Sequence, residues 1–129
     1  MQRKHRSGVE ITASALSYTP GKYYALYHVS KAGLSCLGNS LYAEYKKQNI
    51  DVVVIHPSAI SNTNFYQHED IKANGKKIFV IGDIESSIIS VTPKQVVHKM
   101  LSRMGKVNQV DVGWASMGTN VLTKFGRNF

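Results

Sequence analysis

In the segment Tyr27-His28-Val29-Ser30-Lys31, a phenol and an ammonium stand four residues apart. On a helix that spacing puts two side chains on one face, near enough for their heads to meet. A free tyrosine ionises at about pH 10, too high for ready proton exchange near neutrality. A cation alongside favours the phenolate. Such a pair could give a proton to a carbonyl oxygen or take one from an alcohol. By itself the spacing is weakly specific, because a packing tyrosine beside a surface lysine has the same pattern.

The elements that would hold this pair can be read on either side of it. Gly8 to Ser14 has β-branched residues near its middle and predicts a short strand ending on Ser14. Pro20-Gly21 predicts a turn. From about Tyr24 to Lys47 the pattern is helical: Tyr27, Lys31, Leu34 and Leu41 recur at helical spacing with no proline between them. Lys46-Lys47 suits the carboxyl end of that helix. Ile50 to Ile55, bounded by Asn49 and Pro57, is so evenly apolar that a strand covered on both faces is expected. Strand, helix and strand with short connections make a βαβ unit, hence an α/β fold with a right-handed crossover.

Residues 58–90 are rich in Ser, Asn, Gly and charge, with one apolar patch at Ile78-Phe79-Val80-Ile81. A section so long and so weakly periodic predicts a binding lid. Thr92, Pro93 and Gln95 then form an N-cap, a first helical residue and a capping-box partner, opening a helix that runs to about Met104 and stops at Gly105. Val107 to Val112 alternates as a last strand, and a short helix is expected around Asn120 to Lys124.

Composition narrows the classes. A hydrophobic share of 43% with 19% charged residues excludes a disordered tail or a fibre, and 129 residues suit one domain. Aliphatic runs such as Val52 to Ile55 are far too short to cross a bilayer. The basic opening Met1 to Arg6 is not followed by the apolar stretch of a signal peptide. Cys36 is the single cysteine, which excludes an internal disulfide and a cysteine metal cluster and agrees with a reducing, cytoplasmic setting, with membrane association left open. Set in an apolar helical pattern, Cys36 is expected to be a small buried hydrophobe.

The net charge of +8 asks whether nucleic acid is the partner, but the basic residues are scattered and neither zinc-finger spacing nor basic–aromatic alternation occurs. Solvated surface, or a site for an anionic ligand, is the expectation. His56, at a strand end before Pro57, is read as structural, and the other four histidines lack metal-site spacing.

Taken together the order is more specific than the pair. Ser14 precedes Tyr27 by thirteen positions, Ser30-Lys31-Ala32-Gly33 follows, and the strand Asp51 to Ile55 leads into His56-Pro57. This resembles the short-chain dehydrogenase/reductase family over residues 7–65, and more loosely over residues 90–129. The resemblance implies the C-terminal part of a Rossmann-like doubly wound parallel sheet. It implies that Tyr27 is the general acid/base, that Lys31 supports it and bonds the nicotinamide ribose, and that Ser14 donates to the substrate oxygen. Pro57, Ser58 and Ile60 would line the nicotinamide of NAD or NADP. The substrate would be a small-molecule carbonyl or alcohol, with a lean toward lipid-like ketones. A homo-oligomer through the Tyr27–Lys31 helix is also implied.

Departures from the family pattern matter. Ser58 stands where a glycine is usual, and Thr63 lies one position later than the usual threonine. No Gly-x-x-x-Gly-x-Gly turn and no Asn-Ala-Gly strand end occur. Residues 1–129 are therefore expected to be a single partial domain without the cofactor-binding βα units, truncated at an internal methionine. The competing expectation is a non-catalytic fragment or interaction module that binds no cofactor.

Overall fold

Val52, Val53, Val54 and Ile55 point alternately to opposite sides of their strand, yet all four are buried. Both faces of that strand must therefore be covered. The computed structural model describes residues 5–20, 24–63, 72–73, 76–77 and 90–126. In chain order the elements are β1 (Ser7–Thr12), α1 (Ala25–Tyr45), β2 (Ile50–Pro57), β3 (Lys72–Ala73), β4 (Lys76–Lys77), α2 (Pro93–Arg103), β5 (Gln109–Val112) and α3 (Trp114–Gly126). β1, β2 and β5 form a parallel sheet in the order β1-β2-β5, and β3 and β4 pair separately as a small antiparallel ribbon. The α/β expectation holds, with β2 in the middle.

Side-chain alternation assigns the layers. Val53 and Ile55 join Val110 and Val112 in a core against which Val96, Met100 and Met104 of α2 and its end pack. Val54 and His56 face the other way and meet α1. A Cβ on Gly38 would fall inside the radius of Val54 Cγ2, and Ser35 Oγ lies 3.0 Å from His56 Nε2. Gln109 and Asp111 share that second face and meet α1 and α3. α1 and α2 thus cover opposite faces while the sheet grows in one direction. The two parallel crossovers must have opposite hands, so one departs from the usual right-handed rule.

Boundaries shift for identifiable reasons. The first strand stops at Thr12 rather than Ser14, because the Ser14 hydroxyl accepts the Leu16 amide at 3.2 Å and opens a 3-10 turn, Ala15–Ser17. α1 ends at Tyr45; Lys46–Gln48 tighten into a 3-10 turn, and Asn49 takes the left-handed conformation at φ 58°. The capping box of α2 forms as expected, with Thr92 and Gln95 bonding each other's backbone amides. α3 is far longer than the expected Asn120 to Lys124 and starts at Trp114. Cys36 is exposed, contrary to expectation, because α1 turns Gly38 and Ser35 toward the sheet instead. The lid expected over residues 58–90 lies mostly outside the described residues.

Two glycines on α1 make a paired test. Gly38→Val would drive a side chain into Val54 and Ile11, the latter 3.2 Å from the added Cβ. Overpacking of this kind is expected to cost about 1–3 kcal/mol. A Cβ at Gly33 meets nothing within 4 Å, so Gly33→Ala is expected to stabilise by up to about 1 kcal/mol through helix propensity. Urea unfolding midpoints of the two variants should move in opposite directions.

Candidate active site

Parallel sheets bind ligands beyond the carboxyl ends of their strands, and the residues singled out from the sequence gather at that edge. Ser14 lies two residues beyond β1, buried. Its hydroxyl accepts from Leu16 N–H, its amide donates to Ser17 Oγ at 3.2 Å, and its carbonyl accepts from Ser17 N–H at 2.9 Å. Accepting one hydrogen bond leaves the Ser14 O–H hydrogen available for donation.

The start of α1 is tied to this turn at two points. Lys31 Nζ donates to the Thr12 carbonyl at 3.1 Å, and His28 Nδ1–H donates to the Leu16 carbonyl at 2.6 Å. Because a carbonyl only accepts, the His28 proton sits on Nδ1. Lys31 Nζ also stands 5.7 Å from the centroid of the half-buried Tyr27 ring. The four-residue spacing thus does bring ammonium and phenol ring together, and the backbone bond to Thr12 holds the ammonium at the end of β1.

Pro57 closes β2, and Ser58 departs from the family pattern in an informative way. Its hydroxyl donates to the Val112 carbonyl at 2.9 Å and accepts from the Ser116 amide at 3.2 Å. Gly113, at φ +94°, brings the chain so close to this serine that any Cβ there would collide with Ser58 Oγ. The Ser58 side chain is spent inward, joining β5 to the first turn of α3. Ile60 forms an isolated bridge with Val91, whose bonds run through the Ala59 carbonyl and the Ser61 amide and leave the Ile60 amide off that ladder. The Thr63 hydroxyl donates to the Ile60 carbonyl at 3.3 Å.

A polar cluster beneath the Ser14 turn escaped the sequence reading. Asp111 Oδ1 accepts from Tyr18 O–H and Ser116 O–H, each at 2.8 Å, and Oδ2 accepts from Asn120 Nδ2 at 2.6 Å. The Tyr18 ring stacks on His56 with centroids 4.7 Å apart. Burial, then the bond to Asp111 and its charge, raise the Tyr18 pKa well above the tyrosine range, so this phenol stays protonated. No spacing signal could have found the cluster, since Tyr18 and Asp111 are 93 positions apart.

His56 is fully buried, and its Nδ1 has no hydrogen-bond partner among the described residues. Burial pushes its pKa below the usual histidine value, opposed more weakly by Asp111. A depressed histidine pKa means that the unfolded chain takes up the proton first, near about pH 6.5. Its contribution to stability is therefore whole above that pH and declines as pH falls below it. The urea midpoint is expected to be lower at about pH 5.5 than at about pH 7.5, with the difference reduced in His56→Gln. An unchanged difference in the variant would remove His56 as its source.

No family model matches the chain, and no curated protein matches it. Its fold, however, is similar to solved structures. One is a short chain dehydrogenase from Mycobacterium paratuberculosis bound to NAD, with TM-score 0.66 at 18% identity, covering 88% of this chain and 46% of that one. Another is a 4-hydroxyisoleucine dehydrogenase complexed with NADH, with TM-score 0.60 at 19% identity, covering 83% of this chain and 46% of the other. The architecture is thus part of the Rossmann-like fold seen in short-chain dehydrogenases. The chain spans less than half the length of either structure.

Proposed function

We propose that the protein is an NAD(P)-dependent oxidoreductase of the short-chain dehydrogenase/reductase type, reducing a small-molecule carbonyl or oxidising a secondary alcohol. The observation that carries this reading is the Lys31 ammonium, set beside the Tyr27 ring and held on the carbonyl of Thr12, a residue two positions before Ser14. Tyr27 is the general acid/base, transferring a proton between its phenol oxygen and the substrate oxygen. Lys31 supplies positive charge beside the Tyr27 ring and donates to the nicotinamide ribose. Ser14 uses its remaining O–H hydrogen to steady the substrate oxygen as charge grows there.

The residues fit a dinucleotide at this edge in part. Lys31 and Tyr27 would hold the ribose, and Pro57, Ser58 and Ile60 would hold the carboxamide end through backbone groups, the Ser58 hydroxyl being committed inward. When bound, NAD or NADP supplies or accepts the hydride. A second copy of the chain is the partner we place on α1, where Leu26, Val29 and Leu37 are exposed.

The test uses the protein expressed from its complete coding sequence: oxidation of NADH or NADPH in the presence of a panel of ketones. A folded protein that binds neither cofactor and turns over nothing overturns the reading. The 46% span relative to the similar structures favours a second reading for residues 1–129 alone, a module that binds no cofactor. Nicotinamide fluorescence titration of residues 1–129 is expected to show weak or no binding, because a pyrophosphate-binding first βα turn is lacking from this sequence.

A further inference from the structure

α3 is amphipathic in the inverse sense. Its polar residues face the protein: Ser116 and Asn120 bond Asp111, and Thr119 and Thr123 bond carbonyls within the helix while half-buried. Its apolar residues face outward. Trp114 is 76% exposed, Leu122 72% and Phe125 68%, with Met117 and Val121 about half exposed between them. Positions 114, 117, 121 and 125 fall on one stripe of a helix, with 122 beside it. A surface helix normally turns that stripe to the core, and a contiguous exposed patch of this kind marks an interaction site.

Charge identifies the occupant. No acidic residue follows Asp111 in the sequence, and Asp111 is itself committed inward, whereas Lys124 and Arg127 both follow it. Lys124 is exposed on α3. The chain as a whole carries +8. No helix among the described residues is long and apolar enough to cross a membrane. An apolar stripe with a tryptophan at one end, an exposed lysine beside it and no acidic residue on the helix itself matches the boundary between the headgroups and acyl chains of an anionic bilayer.

We propose that α3 lies against an anionic lipid surface, with Trp114, Met117, Val121, Leu122 and Phe125 inserted among the acyl chains and Lys124 among the headgroups. The inward polar face on Asp111 presets the helix for this. The proposal is independent of the catalytic reading.

Trp114 is the single tryptophan, so its fluorescence reports on the stripe directly. The full chain is titrated with phosphatidylcholine vesicles and with vesicles containing phosphatidylserine, and flotation is followed in parallel. A blue shift of Trp114 emission and co-flotation with the anionic vesicles, weakened by salt, are expected. Leu122→Asp with Phe125→Asp should lower vesicle binding on the order of tenfold or more, with circular dichroism unchanged. Emission that ignores anionic vesicles overturns the proposal, and so does equal binding to neutral ones. Blue emission without vesicles that follows protein concentration would instead assign the stripe to a second copy. The wild-type titration decides the matter even if the double variant fails to fold.

Discussion

Replacing Tyr27 with phenylalanine is expected to lower ketone turnover by roughly 10²- to 10⁴-fold, the range over which positioned general acid/base groups act. The ring that Lys31 approaches is retained, while the phenol oxygen to which the proposed mechanism assigns the proton is lost. Stability should stay within about 1 kcal/mol of the parent, the ordinary worth of one hydrogen bond. The measurement is turnover in the protein from the complete coding sequence, with cofactor affinity followed separately. A Tyr27→Phe protein of full activity would remove Tyr27 from the chemistry. A protein that still binds cofactor but no longer turns over would support the role given to it.

The second large effect is structural. Asp111→Ala removes the acceptor shared by Tyr18, Ser116 and Asn120 and leaves three donors without their partner. Hydrogen bonds to charged groups are each worth about 1.5–3 kcal/mol and do not add fully. A loss of about 3–5 kcal/mol is expected, with a fall in Tm on the order of 10 °C or more. The damage should spread to the site, because Tyr18 ends the turn that carries Ser14. Hydrogen exchange at the Leu16 amide, which donates to Ser14 Oγ, should rise in Asp111→Ala and less in Asp111→Asn, which keeps one acceptor oxygen. Equal protection in all three proteins would mean that the Ser14 turn stands without Asp111.

How much of this was legible beforehand depended on the range of the interactions. The β-branched run before Pro57 could only bury itself on both faces, and it is the middle strand of the sheet. The box of Thr92 and Gln95 is a matter of three residues and formed as read. Ser14 was located at the right edge but in the wrong element, because its own side chain competes with the strand for a nearby amide. Cys36 misled because an apolar helical pattern does not say which of its sides meets the sheet when both sides are apolar. α3 was underestimated for a related reason: its serine, threonine and asparagine residues obscure the helical pattern until Asp111 supplies a partner for Ser116 and Asn120.

By itself, then, the sequence determined the α/β order, the central strand, the caps of α2, and the placing of Tyr27 and Lys31 on one helical face, all consequences of local periodicity and short-range hydrogen bonding. The tertiary structure decided what local patterns cannot carry. It set α1 and α2 on opposite faces and held the Lys31 ammonium on the Thr12 carbonyl. It joined Tyr18 to Asp111 across 93 positions. It also turned the polar side of α3 inward, because a carboxylate at the end of β5 needs donors more than the sheet there needs another apolar cover.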